Sequence, residues 1–329
     1  MGKLHLMNAL RIKEVNAVAV ADKSERNRKF AEKYRLKTYE DYGKLIDAEK
    51  LDAVIISLPN FLKKESVICA SERNLDIFLD KPLARNSNEA QEIIRKVKKE
   101  NVRLIVGVNY RYFDSMQKLK NNLYDGRVGD VVIATSELIM NGPFSHPIIP
   151  KQVPEWWLNK EMAGGGALLD LGYHLLDILI WMFGDLNAVY SNLEYRFNLP
   201  VEDTATVVLK SEKTSNTCVM NVGWFSKLIF PDFNFRVNLH GTNGYDSTDH
   251  YAPNNLRVHA VKAGAMNLLR KILGKQVHYL SYTYYYSSFY KILSLFFRMI
   301  ENGAECPISL QEQLGVLNVI DDIYTQNGV

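Results

Sequence analysis

The chain has 329 residues, 47 % of them apolar and 23 % charged, which is the balance of an ordinary globular protein with length enough for two domains. Its net charge is +3, and basic residues alternate with acidic ones, as in Glu25-Arg26-Asn27-Arg28 and Lys98-Lys99-Glu100, so composition argues against a nucleic-acid partner. Three scattered cysteines, Cys69, Cys218 and Cys306, make neither a disulfide framework nor a metal-ligand pattern, and no leader-like start or bilayer-length apolar run is visible; the expectation is a cytoplasmic protein without metal or membrane partner.

The opening residues run straight into a helix. An apolar stretch over 15–21 follows and closes on Asp22. An acid about 20 residues after a glycine turn is the ribose-binding group of a dinucleotide fold. On that spacing Gly2 reads as the last glycine of a G-x-G-x-x-G turn. The sequence is then expected to begin inside the turn, without the first strand. Helical and strand-like segments alternate through 24–33, 41–46, 54–57, 64–73, 77–79, 89–100 and 103–108. This predicts an α/β Rossmann-type parallel sheet over residues 1–112. Ligands of such sheets gather at the carboxyl ends of the strands, where Ser57, Leu58, Pro59, Asn60, Asp80 and Lys81 fall. Asn109 and Arg111 lie just beyond another strand end, where they could line the same cleft or form a hinge.

The pattern changes over 113–329, which predicts an α+β domain with an open, mainly antiparallel sheet. A helix over 116–124 and a strand over 131–138 lead to a long loop, 139–163. It holds Pro143, Pro147, Pro150 and Pro154, with Trp156 and Trp157 near its end. Paired tryptophans in a loop serve as a lid or as plain anchors. Next comes Gly164-Gly165-Gly166, running into a helix whose Leu168, Leu171, Leu175 and Leu179 recur at spacings of three and four. The glycines are expected to leave room for a ligand. Asp170 and His174 stand four apart, so a carboxylate is expected beside an imidazole, orienting it as a general base. Strands are predicted over 188–196, 205–210, 217–225 and 234–240. A tyrosine-rich stretch over 279–290 and helices over 291–302 and 310–324 follow.

Five pieces occur in order: Ala21-Asp22, Leu58-Pro59-Asn60, Asp80-Lys81-Pro82, Gly107-Val108-Asn109-Tyr110-Arg111-Tyr112, and the block from Gly164 to Asp177. Together, across essentially the whole chain, they resemble the Gfo/Idh/MocA family of nicotinamide-dependent sugar and cyclitol oxidoreductases. The family usually carries Glu-Lys-Pro where this chain has Asp80-Lys81-Pro82. It often carries a histidine where this chain has Lys63.

The resemblance implies hydride transfer between NAD, with NADP as the alternative, and a secondary alcohol of a sugar, nucleotide sugar or cyclitol. It implies that His174 takes the hydroxyl proton, Lys81 stabilises the alkoxide and Asp170 orients substrate or histidine. Cofactor contacts would come from Gly2, Asp22, Leu58, Pro59, Asn60, Asp80, Lys81 and Asn109, and substrate contacts from Arg111, Trp157 and Tyr173. A carboxylate at Asp22 favours NAD, since it repels a 2′-phosphate, although Lys23, Arg26 and Arg28 lie near it. A homo-oligomer, dimer or tetramer, would form through one face of the second sheet. Two other readings stay open: a cofactor-deficient sensor or structural partner, and a NAD-using enzyme without net redox, such as a glycosidase that oxidises transiently.

Overall fold

Short apolar runs between amphipathic helices build the first half of the chain. In the computed structural model the described residues are 1–144, 153–211, 213–224, 234–253, 256–275 and 284–329. The order is α1 (Gly2–Ala9), β1 (Ala19–Ala21), α2 (Glu25–Glu32), β2 (Lys37–Tyr39), α3 (Tyr42–Ala48), β3 (Ala53–Ile56), α4 (Asn60–Ser71), β4 (Asp76–Leu79), α5 (Ser87–Lys99) and β5 (Leu104–Val106). Asp41 and Asn86 cap α3 and α5 by accepting the Lys44 and Glu89 amides, which fixes where those helices begin.

All these strand pairs are parallel, as helical crossovers require. They form two pieces, β1-β2 and β3-β4-β5. A doubly wound order would set a strand between β1 and β3, and among the described residues none does so. Register aligns Ile56 with Leu79 and Leu79 with Val106. Residues 57–60, 80–82 and 107–109 therefore share one rim. β4 is the buried centre, with Ile77, Phe78 and Leu79 all at 0 % exposure.

The second half continues with α6 (Asp114–Tyr124), β6 (Val131–Met140), α7 (Lys160–Ala163), α8 (Tyr173–Phe183), β7 (Leu186–Glu194), β8 (Thr204–Ser211), β9 (Thr217–Trp224), β10 (Asn234–Gly241), β11 (Gly244–Ser247), α9 (Leu256–Ile272), α10 (Tyr284–Asn302) and α11 (Leu310–Gln326). A six-stranded sheet has the order β11-β10-β6-β9-β8-β7, antiparallel except for β6 with β9. Alternation gives it two faces. Val207, Leu209, Met220, Val222, Val237 and Leu239 are buried in the core that includes α8. The other face carries polar pairs, Thr206 to Asn221 and Asn238 to Thr135, each 2.9 Å.

Residues 160–183 include a window apolar enough to cross a membrane by length and composition, but 89 % of it is buried. It is the core helix of the fold. α10 and α11 return to the first half, packing on α1 and β4 and on α5 and β5 respectively.

The predicted strand over 15–21 is shorter, β1 alone. β2, β11 and α9 have no counterpart in the sequence reading, and α7 lies in the stretch read as loop. Pro147, Pro150, the end of the predicted 217–225 strand and residues 279–283 of the tyrosine-rich stretch lie outside the described residues.

Candidate active site

The rim of β4 presents Asp80, Lys81 and Pro82. Beneath it lies Lys63 of α4, 2 % exposed. Its Nζ donates to the carbonyls of Asp80 (2.8 Å), Lys81 (2.6 Å) and Pro82 (3.1 Å). Three donors meet three acceptors, the full capacity of an ammonium. Burial pushes the Lys63 pKa down to about 7, opposed by the Asp80 carboxylate. Burial alone would raise the Asp80 carboxyl, yet His5 and Lys63 hold it well below the usual carboxylate range. His5 Nε2 is 3.7 Å from Asp80 Oδ1, and Ser57 Oγ donates to Oδ2 at 3.4 Å.

Lys81 reaches from this rim to the second half. Its Nζ donates to the Asp170 carbonyl at 2.7 Å and to Asp170 Oδ1 at 2.8 Å. Trp224 Nε1, at the end of β9, donates to Asp170 Oδ2 at 3.2 Å. The Trp157 ring lies 5.6 Å from the Trp224 ring. The expected Asp170–His174 contact is therefore corrected: no hydrogen bond joins them among the described residues. Asp170 is drawn to Lys81 and Trp224 instead. Residues 168–172 also form a π turn, which changes their offset from that of an α-helix.

His174 is 4 % exposed and stacks on Tyr110, ring centroids 4.0 Å apart at 27°. Its Nδ1 is buried and has no hydrogen-bond partner among the described residues. Burial, assisted by the Lys81 charge, holds its pKa well below the ordinary value. The imidazole is neutral near pH 7 and able to accept a proton.

The glycine run does something other than leave room for a ligand. A Cβ on Gly165 would lie 1.9 Å from the Tyr324 hydroxyl, and one on Gly166 would lie 2.1 Å from the Glu202 carbonyl. Gly164 has φ +91° and abuts the Arg85 backbone. The protein's own groups fill that space. Glu202 Oε1 accepts the amides of Gly166 (2.9 Å) and Leu168 (3.0 Å) and the Tyr324 hydroxyl (2.8 Å), holding the turn that presents Asp170.

Lys81, Asp170 and His174 are thus gathered at one place, with Asp80 below. Other predicted site residues serve the frame. Arg111 is 2 % exposed, with its guanidinium against Asp177 (2.8 and 2.6 Å) and Glu312 (2.8 Å). The Tyr173 hydroxyl donates to Gln313 Oε1 at 2.8 Å and accepts from the Leu83 amide at 3.2 Å. Asn109 Nδ2 donates to Ser288 Oγ at 2.8 Å, and Asn60 Nδ2 to the Ala163 carbonyl at 2.7 Å. Leu58 and Pro59 are half-buried on the rim.

The residues present fit a dinucleotide. Asp22 follows β1, its carboxylate ordered by the Ser24 amide (2.8 Å) and Asn27 Nδ2 (2.9 Å), with lone pairs left for ribose hydroxyls. A Cβ on Gly2, which opens α1, would meet nothing within 4 Å, so a ligand can approach that backbone closely. Among the described residues no group of His, Cys, Asp and Glu could hold a metal ion.

Residues 1–108 match the family model described as "Oxidoreductase family, NAD-binding Rossmann fold", and residues 116–245 match the "GFO/IDH/MocA C-terminal domain". The chain belongs to the GFO/IDH/MocA oxidoreductase family. Its first domain is thereby of the NAD-binding Rossmann type, and the resemblance read from the five motifs holds. Levoglucosan dehydrogenase of Pseudarthrobacter phenanthrenivorans is 29 % identical over 149 residues, 45 % of this chain and 37 % of that protein. D-glucoside 3-dehydrogenase of Escherichia coli is 26 % identical over 186 residues, 55 % of this chain and 50 % of that one. The chain thus matches half or less of the length of these two relatives. Among solved structures, myo-inositol 2-dehydrogenase from Lactobacillus plantarum superposes with a TM-score of 0.81 at 18 % identity, covering 99 % of this chain and 94 % of that one. A levoglucosan dehydrogenase in complex with NADH and levoglucosan gives 0.80 at 19 %, covering 100 % and 94 %. Both share the fold.

Sequence reading missed Trp224, Tyr110, Glu202 and the work of Lys63. Trp224 ends an ordinary alternating strand, and Glu202 sits in a turn. Tyr110 stood within the Gly107–Tyr112 motif but was given no role, and Lys63 carried a signal as a charge within an otherwise buried helix face.

Proposed function

We propose that this chain is a NAD-dependent dehydrogenase acting on a secondary alcohol of a sugar, nucleotide sugar or cyclitol. The observation that carries the reading is Lys81 bonded to Asp170 across the two halves, with a buried neutral His174 close enough to feel its charge. Two of the three N–H bonds of Lys81 are committed to Asp170. The third is left, among the described residues, for a substrate oxygen. That ammonium stabilises the oxygen as its proton leaves, and His174 receives the proton. Asp170, held by Trp224, fixes the direction of Lys81. When bound, nicotinamide supplies the hydride acceptor or donor.

Residues 1–112 are assigned to cofactor and 113–329 to substrate and subunit contacts. NAD is preferred over NADP, because Asp22 offers a carboxylate just past the end of β1 while Arg28 donates to the backbone carbonyls of Asp22 (2.7 Å) and Lys23 (2.9 Å). A homo-oligomer built on the outer sheet face and a cytoplasmic location complete the reading.

The test is NAD⁺ reduction across a panel of cyclitols, anhydro-sugars and glucosides. Reduction with at least one class, slower with NADP⁺, is expected. Absence of both NADH binding and turnover on every one of them would favour the cofactor-deficient sensor reading.

A further inference from the structure

α9 is built inside out. The residues it turns toward the body are small or polar: His259, Ala260, Ala263, Asn267 and Arg270 are half-buried, and the His259 ring lies edge-on to Tyr284 at 6.2 Å. The residues it turns outward are large and apolar. Val261, Leu268, Leu269, Ile272 and Leu273 are 53–74 % exposed, and Val258 is 51 % exposed. At 100° per residue these six fall within an arc of roughly 140°, an apolar stripe that runs the length of α9 and one residue past its end. A contiguous exposed patch of this kind marks an interaction surface.

Charge identifies what it meets. Residues 250–300 hold seven Lys and Arg and no Asp or Glu. That exceeds the +3 of the whole chain, so the remainder of the molecule is net negative. On α9 and just beyond it, Lys271 and Lys275 flank one edge of the apolar stripe, and Lys262 stands within its arc near the start of the helix. Two copies of α9 packed face to face would set these lysines together with no carboxylate between them. An anionic lipid surface answers both features: acyl chains take the apolar stripe, and headgroups take the lysines, whose long stems snorkel outward.

We propose that α9 docks the protein onto an anionic membrane surface, lying in the interface rather than spanning it. The proposal concerns where the protein works and is independent of the reaction assigned to it. It differs from the sequence expectation of no membrane partner, which rested on the absence of a spanning run.

Flotation of the full chain with vesicles tests it, using phosphatidylcholine alone and phosphatidylcholine with a quarter phosphatidylglycerol. Binding to the anionic vesicles only, weakened by salt, is expected. Each basic residue near such a surface contributes a factor of about five, so K262Q/K271Q/K275Q should lower partitioning roughly 100-fold. L268E/I272E should abolish it while thermal unfolding is unchanged, since these side chains are exposed in the free protein. Failure to partition, or equal partitioning on neutral and anionic vesicles, overturns the proposal. So does self-association in sedimentation that L268E/I272E breaks while vesicles bind neither form, which would make a second copy the occupant.

Discussion

Lys81→Met removes the charge that the proposed chemistry needs while keeping most of the apolar stem. In the wild type, two N–H bonds of Lys81 go to Asp170 at 2.7 and 2.8 Å, and the third is left for substrate. A preorganised donor aimed at a developing oxyanion contributes about 2.7–4 kcal/mol, so turnover should fall by about 10²–10³-fold. The cost to folding is smaller. Lys81 and Asp170 are 19 % and 21 % exposed, between a surface pair and a buried one. Water can reach Asp170 once the ammonium has gone, and Trp224 still holds its other oxygen. A loss of about 1–2 kcal/mol is expected. NADH affinity should be little changed. The assay is initial-rate NADH absorbance with the best substrate of the panel, beside NADH fluorescence titration and urea unfolding. If Lys81→Met turns over like the wild type, the ammonium does not stabilise the reacting oxygen. If turnover, NADH binding and stability all collapse together, Lys81 is a structural bridge and the site assignment fails.

His174→Asn should lower turnover by about 10²–10⁴-fold with cofactor binding retained, as stopped-flow hydride transfer would read. Because the folded-state pKa of His174 lies below its ordinary 6.5, the unfolded chain binds the extra proton between those values. This residue therefore makes stability rise with pH across that window, by up to about 1.4 kcal/mol per pH unit, with no further change above it, where its contribution is fully present; urea midpoints for wild type and His174→Asn should converge in acid. Lys63→Met strands the carbonyls of Asp80, Lys81 and Pro82, so a loss of about 2–4 kcal/mol in urea unfolding is expected, partly recovered by Lys63→His, which restores a donor. Trp224→Phe deletes the indole donor to Asp170 but keeps the packing. It should lower turnover about tenfold, the worth of roughly 1.4 kcal/mol in transition-state stabilisation, and leave the NADH dissociation constant unchanged.

The parallel half of the fold was legible because each strand ends abruptly. The apolar runs before Pro59 and Lys81 stop at turn residues, and the helix between them repeats its apolar positions. β2 was missed because Lys37-Thr38-Tyr39 is too short and too polar to carry a period, and only its pairing with β1 makes it a strand. Lys81, Asp170 and His174 could be named because they stand beside glycines and strand ends. Their actual partners could not, since Asp170–Lys81 spans 89 residues and Asp170–Trp224 spans 54. The reading of the glycine run went wrong for the same reason: Tyr324 and Glu202 fill that space from distant elements. α9 escaped altogether because Gly264 and the small residues Ala260, Ala263 and Ala265 interrupt its apolar period.

The rim of β4 is fastened to the start of the core helix at several points. Lys81 is tied to Asp170, the Leu83 amide to Tyr173, Arg85 to the Glu161 carbonyl and Asn60 to the Ala163 carbonyl. Ser87 adds a fastening to Asp321 of α11 at 2.8 Å. Swinging the halves apart would strain all of these bonds at once. The molecule is in this respect a clamped vice rather than a jaw. A hinge motion that parted the two sheets would have to break this whole set of bonds together.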